Sequence, residues 1–92
     1  MLIAYEVRDG ILHLALLRDL GVADRAAAML EIEAQILARR TRQVRLRLPA
    51  VRPSPASLSV LARTRRLCEG LGVDLTLTSP APAESGALDP MP

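Results

Sequence analysis

The sequence predicts a single α/β domain in which a four-stranded mixed sheet carries two helices on one face. Apolar runs and amphipathic stretches follow one another in the order β-β-α-β-α-β. The chain has 92 residues, half of them hydrophobic, which suffices for one small core but not for two. A hairpin turn at Asp9-Gly10 makes the first strand antiparallel to the second. The helical crossovers that follow predict parallel pairing of the last three strands.

The predicted strands differ in their apolar pattern. Residues 5–8 alternate between apolar and charged side chains, as is typical of a half-exposed strand. Residues 11–17 are apolar on both faces, which predicts the middle of the sheet with His13 packed among aliphatic neighbours. Residues 44–48 and 73–78 alternate strictly, so one face of the sheet is expected in water and both helices on the other.

Strong helix formers occupy residues 25–40, and Asp24 is a candidate N-cap for this first helix. The second helix is predicted to begin with Ser54 as N-cap and Pro55 in the first turn, and to end at Gly70 or Gly72. If Ser54 is only a cap, aspartate should replace it without loss. The predicted apolar face of the first helix is Ala26, Met29, Leu30, Ile36 and Leu37, and that of the second is Val60, Leu61, Thr64, Leu67, Cys68 and Leu71.

Composition argues against several classes of site. With a single histidine and a single cysteine, the chain offers no set of soft metal ligands, and no metal or other cofactor is expected. His13 has only aliphatic neighbours in sequence, and Cys68 lies on an apolar helix face, so we expect both to be packing residues and the protein not to be an enzyme. No run of residues is apolar enough to span a bilayer, which favours a cytoplasmic protein.

Nucleic acid is an alternative ligand. All 12 basic residues are arginine, and five of them cluster near the middle of the chain. Such a cluster could neutralise phosphates. One aromatic residue and no binding motif argue that it is a solvated face instead, and we do not expect nucleic-acid binding to be the principal function. The cluster comprises Arg39, Arg40, Arg42, Arg45 and Arg47.

Two segments carry a family resemblance. "VRLRLPAVRPSPASLSVLARTRRLCEGLGVDLTLTSP", residues 44–80, resembles the part of the STAS domain that runs from a strand through a loop and a Leu/Arg-rich helix to a last strand. "GILHLALLRDLGVADRAAAMLEIEAQI", residues 10–36, is similar to the second strand and first helix of that family. STAS domains occur in anti-sigma factor antagonists and in the tails of sulfate transporters. The resemblance implies a STAS-like fold for residues 1–78.

The sequence departs from the family at the loop that decides regulation. Family members carry Asp-Ser-Ser-Gly there, and the loop serine is the target of a kinase. Here those positions read Ser54, Pro55, Ala56 and Ser57. The usual phosphoacceptor is absent, so phosphorylation at the usual site is not expected, and Ser54 and Ser57 are the remaining candidates. A phosphate on either would lie near the positive end of a helix.

The resemblance implies a non-enzymatic regulatory module that binds proteins. The expected partner is an anti-sigma factor or another regulator of the serine-kinase type, or other STAS-type chains. The expected surface is the loop and the exposed side of the second helix, with Ser54, Ser57, Ser59, Arg63 and Arg66. The alternatives are the arginine-rich nucleic-acid binder and a small structural subunit of a homo-oligomer.

The end of the chain differs from the family as well. Residues 79–92 are rich in proline and are predicted to be a disordered tail where family members place a last helix. Apolar surface beside the last strand should therefore stay open. We expect this surface to produce a symmetric dimer or dependence on a partner chain.

Overall fold

The structure, a computed structural model, describes residues 2–78, and these form one mixed sheet with two helices. The predicted proline-rich tail, residues 79–92, lies outside the described residues. A short 3₁₀ turn, Val22–Asp24, precedes the first helix. The elements are β1 Ile3–Arg8, β2 Ile11–Leu16, α1 Arg25–Arg39, β3 Gln43–Arg47, α2 Pro55–Leu71 and β4 Asp74–Thr78.

The sheet confirms the predicted topology. Its strand order is β1-β2-β3-β4, with β1 antiparallel to β2 and the next two pairs parallel. Asp9 and Gly10 have φ angles of 55° and 79°, the two positive values that a tight type I′ hairpin requires. Aspartate, at position 9, is one of the few residue types that tolerate this conformation, and Gly10 adopts it without steric cost.

The core lies between the sheet and the two helices. Leu12 and Leu14 of β2 and Val44 and Leu46 of β3 are buried on the face that the helices cover. The alternate residues of β3, which are Gln43, Arg45 and Arg47, are exposed on the opposite face, as the alternation predicts. Within residues 2–78, no helix combines the length and the apolar character that crossing a bilayer demands.

The predicted buried face of α1 was wrong at three of its five positions. Ala28, Ile32 and Ile36 are buried, one turn apart, and Met29 packs beside them. Ala26 is exposed, Leu30 is 67% exposed and Leu37 is 49% exposed. Apolar residues occur on every side of this helix, so their spacing did not decide which row of i, i+4 neighbours faces the sheet.

Asp24 does not cap α1 through its side chain. No backbone N–H of α1 donates to its carboxylate. Instead the carboxylate accepts from the Gly21 N–H at 2.9 Å and pairs with the Arg18 guanidinium at 3.1 Å. Asp24 therefore occupies the predicted N-cap position of α1, but its carboxylate closes the 3₁₀ turn that leads into the helix instead of capping it.

Helix α2 begins and ends where the sequence predicts. Ser54 is its N-cap, Pro55 is its first residue, and Gly72 ends it with a φ of 72°. Of the predicted apolar face, Val60, Leu61, Thr64 and Cys68 are buried and Leu67 is partly buried, whereas Leu71 is 47% exposed. Thr64 is satisfied locally, because its hydroxyl donates to the Val60 carbonyl oxygen at 2.9 Å.

Candidate functional site

Ser54 holds the N-terminus of α2 against the loop that follows β2. Its Oγ accepts the Ser57 N–H at 3.1 Å, which is the predicted capping bond, and donates to the Leu20 carbonyl oxygen at 2.7 Å. Its own N–H donates to the Asp19 carboxylate at 2.9 and 3.2 Å. The N-cap residue is thus tied to the preceding loop by both its backbone and its side chain.

Ser57 completes the connection from inside the protein. Its side chain is fully buried, at 0% exposure. Its Oγ donates to Asp19 Oδ1 at 2.7 Å and accepts the Leu20 N–H at 2.9 Å. Ser54, Ser57, Asp19 and the Leu20 backbone together form what we call the loop network.

The sequence did not single out Asp19, although a signal for it exists. Asp19 follows the carboxyl end of β2, and Ser54 follows the carboxyl end of β3. The carboxyl ends of parallel strands meet at one edge of a sheet. An acidic residue just after one such strand and a serine cap just after the next are therefore expected to lie close together.

Hydrogen bonds lower the pKa of Asp19 below its ordinary value. The largest cause is the bond from the Ser54 backbone N–H, and the next is the bond from the Ser57 hydroxyl. Both stabilise the carboxylate relative to the protonated acid. A carboxylate held in this way is a weak proton acceptor, which makes Asp19 a poor general base for Ser57.

The structure separates the five residues of the predicted partner surface. Arg63 and Arg66 are exposed on the outer arc of α2, and Ser59 is partly exposed beside them. Ser54 is partly buried and engaged in the loop network. Ser57 was wrongly placed on the exposed side, because the sequence showed a polar residue in a first helical turn but not the buried partners that satisfy it.

Two exposed apolar side chains lie near this surface in sequence. Val51, in the loop before α2, is 78% exposed, and Leu58, in its first turn, is 52% exposed. Among residues 2–78, the ion pairs are Arg8 with Glu6 and Arg18 with Asp24, so Arg63 and Arg66 are not in one. We call Leu58, Ser59, Arg63 and Arg66 the α2 outer arc.

The five arginines of the alternative nucleic-acid site do not share one surface. Arg45 and Arg47 project from the sheet face opposite the helices. Arg39 lies on the helix side, with its guanidinium carbon 5.2 Å from the centroid of the Tyr5 ring. This arrangement uses the chain's one aromatic ring for an intramolecular cation–π contact and leaves no continuous basic groove through all five positions.

The other side chains that could be reactive or bind a metal lie apart from the loop network. His13 alternates with buried Leu12 and Leu14, which places it on the sheet face away from α2. Burial raises the pKa of the Cys68 thiol, which is only 1% exposed, so the reactive thiolate is disfavoured. Over residues 2–78, no group of three or more histidine, cysteine or acidic side chains is arranged to hold a metal ion.

Comparisons with known proteins give a likeness of fold. No protein-family profile matches the chain, and no curated protein matches its sequence. One solved structure, described as the crystal structure of Mglu in its native form, superposes with a TM-score of 0.63 at 17% identity. The match covers 84% of this chain and 23% of that one, so the chain spans about a quarter of the length of Mglu. At this identity the likeness shows a shared fold and nothing of function.

Substitution of Ser54 is expected to destabilise the fold whichever way the hydroxyl is removed. Ser54→Ala removes the cap and also removes the hydroxyl that donates to the Leu20 carbonyl oxygen. The unfolding free energy should fall by about 1 to 3 kcal/mol. Ser54→Asp should cost at least as much, contrary to the expectation from capping alone, because aspartate cannot donate to Leu20 and adds a charge beside Asp19. Urea denaturation measures both.

Ser54→Thr, which keeps a hydroxyl, and Ser59→Ala, a change on the same helix outside the loop network, are the controls. The unfolding free energy of each control should differ from that of the wild type by no more than about 0.5 to 1 kcal/mol. Wild-type stability in Ser54→Asp would show that the bond to Leu20 contributes nothing.

Stability should fall in acid because of Asp19. Its pKa is lower in the folded than in the unfolded chain, so the stabilisation is complete above the unfolded value of about 3.9 and is lost as the pH falls through the folded value. Melting temperatures measured from about pH 6 to about pH 2.5 should drop less steeply for Asp19→Asn than for the wild type. Asp24→Asn, which removes the second carboxyl of lowered pKa within residues 2–78, separates the two contributions.

Proposed function

We propose that this chain is a non-enzymatic regulatory module that binds a protein partner through the α2 outer arc. The observation that carries the proposal is a firmly held helix start next to an exposed helix face whose arginines form no ion pair within residues 2–78. The loop network fixes the start of α2, and the arc beyond it presents Leu58, Arg63 and Arg66 to solvent. Preorganised surfaces of this kind bind without a large ordering cost.

The chemistry of the arc indicates the kind of partner. Two guanidinium groups outside the ion pairs of residues 2–78 favour an acidic surface, because arginine forms bidentate bonds with carboxylates. Leu58, with Val51 close by in sequence, supplies apolar area for a contact core. By its resemblance to STAS domains, the chain is expected to meet an anti-sigma factor, another regulator of the serine-kinase type, or a STAS-type chain.

The non-enzymatic part of the proposal rests on the loop network. Its one buried nucleophile, the Ser57 hydroxyl, is closed to a substrate and bonded to a carboxylate of lowered pKa. Nucleophilic catalysis needs an accessible hydroxyl and a base able to take its proton. Neither condition holds at Ser57.

Incubation with a serine kinase that acts on STAS domains should leave the folded protein unmodified. Ser57 is inaccessible, and the Ser54 hydroxyl donates to Leu20. Intact-mass spectrometry after incubation with ATP should show less than about a tenth of the chains phosphorylated. A phosphorylated STAS domain in the same reaction is the positive control. One phosphate per chain mapped to Ser54 or Ser57 would mean that the loop opens and that a phosphorylation switch operates.

The affinity for the protein partner should fall when the charge of the α2 outer arc is reversed. The full chain, tagged and purified from its native host, is expected to retain a protein that is then identified and purified alone. Calorimetry with that protein should show at least a tenfold weaker affinity for Arg63→Glu/Arg66→Glu, since each charge-assisted bond contributes on the order of 1.5 to 3 kcal/mol. Leu30→Glu, at a 67% exposed position on α1, is the matched control and should bind as the wild type does.

Equal affinity of the wild type and the double arginine variant would exclude the arc. Recovery of nucleic acid instead of a protein, with binding that weakens steeply as salt rises, would favour the arginine-rich nucleic-acid alternative.

A further inference from the structure

Within residues 2–78, the outer edge of strand β4 has no neighbouring strand. The Asp74 N–H donates to the Arg42 carbonyl oxygen, and the Leu48 N–H donates to the Thr78 carbonyl oxygen. In a parallel ladder, alternate residues of a strand bond to the same neighbour. Asp74, Thr76 and Thr78 therefore face β3, while Leu75 and Leu77 turn their N–H and C=O groups away from the sheet.

The opposite edge of the sheet is protected in part, by one satisfied backbone donor and by charged side chains. The Ile3 N–H of β1 donates to the Glu31 carboxylate at 3.1 Å, and Glu6 and Arg8 form an ion pair at 2.8 Å along the strand. Charged side chains and blocked donors are the usual means by which an edge strand resists pairing. After Asp74, the sequence of β4 is Leu-Thr-Leu-Thr, without charge, proline or bulge.

Apolar surface accompanies the open backbone. Leu75 and Leu77 are only partly buried, whereas their register partners Val44 and Leu46 are 1% and 0% exposed. The helix layer thus covers β3 completely and β4 incompletely. The sequence predicts open apolar surface at this place, next to residues 79–92, which lie outside the described residues.

We propose that a second copy of this chain pairs with β4 in antiparallel fashion, which makes one continuous eight-stranded sheet. Bonding between outward-facing residues places Leu75 opposite Leu77 of the other copy and Thr76 opposite Thr76. This register pairs all five residues of β4 with all five of its copy. It sets leucine against leucine on the helix side and threonine against threonine on the other, both favourable cross-strand pairs.

The register favours a second copy of this chain over a strand from another protein. A two-fold axis through Thr76, perpendicular to the sheet, makes the contact self-complementary and closed. Both helix layers then lie on the same side of the joined sheet. This interface is separate from the α2 outer arc and does not depend on the function proposed for it.

Light scattering on the full chain after gel filtration tests the dimer. At about 100 µM the wild type should have twice the mass of one chain. Thr76→Lys should weaken the dimer at least tenfold, because two lysines would lie directly opposite each other between the two copies of Arg45, and like charges so placed repel. Gln43→Lys, the same charge one strand further in on the same face, should remain dimeric. A monomeric wild type, or a dimeric Thr76→Lys, overturns the proposal.

Cysteine crosslinking tests the register. Opposite residues at a non-hydrogen-bonded position have Cα atoms about 4.5 Å apart, within reach of a disulfide. Mild oxidation should therefore convert most of Thr76→Cys to a covalent dimer. Thr78→Cys, which lies opposite Asp74 of the other copy, should not crosslink, nor should the wild type with its buried Cys68. Efficient crosslinking at position 78 but not at 76 would show a different interface.

Discussion

The hydroxyl of Ser57 is the point on which the position of α2 depends. It bonds to Asp19 and Leu20 in the loop after β2. Thr64, the other buried polar residue of the described core, donates to Val60 of its own helix at 2.9 Å and has only a longer contact, 3.7 Å, with the Met29 sulfur of α1. Removal of a buried partner leaves the opposite groups unsatisfied, which costs more than the bond itself contributes. The Leu20 N–H and the Asp19 carboxylate therefore fix where α2 can begin, and α2 in turn covers β3 and part of β4.

The same network determines what the site can do. A serine that holds two loops together cannot also be freely accessible. A carboxylate that accepts bonds from Ser54 and Ser57 has a lowered pKa and is therefore less basic than a free aspartate. The hydrogen bonds that hold the start of α2 in place thus also make its serine and carboxylate less reactive. What remains available to a partner is the side of the helix that the network leaves free, and this is the physical reason for proposing binding at the α2 outer arc.

How much the sequence predicts depends on the range of the interaction. Ser54 and Gly72 were identified correctly because capping and left-handed termination are local. The parallel pairing followed from the order of the elements. The face of α1 was wrong because Leu30 and Leu37 compete with Ile32 and Ile36, and only packing against the sheet decides between them. Asp19 was missed because its partners are 35 and 38 residues away.

The two proposed surfaces have a joint consequence. A two-fold axis perpendicular to the sheet leaves both α2 outer arcs on one side of the dimer, each carrying Arg63 and Arg66. A partner with two binding sites at the matching spacing would then engage both arcs, and the second contact would form at the high effective concentration set by the first. Affinity of this kind falls when the β4 edges separate, even though no residue of the arc has changed. Self-association would therefore control partner binding without any covalent modification of Ser54 or Ser57.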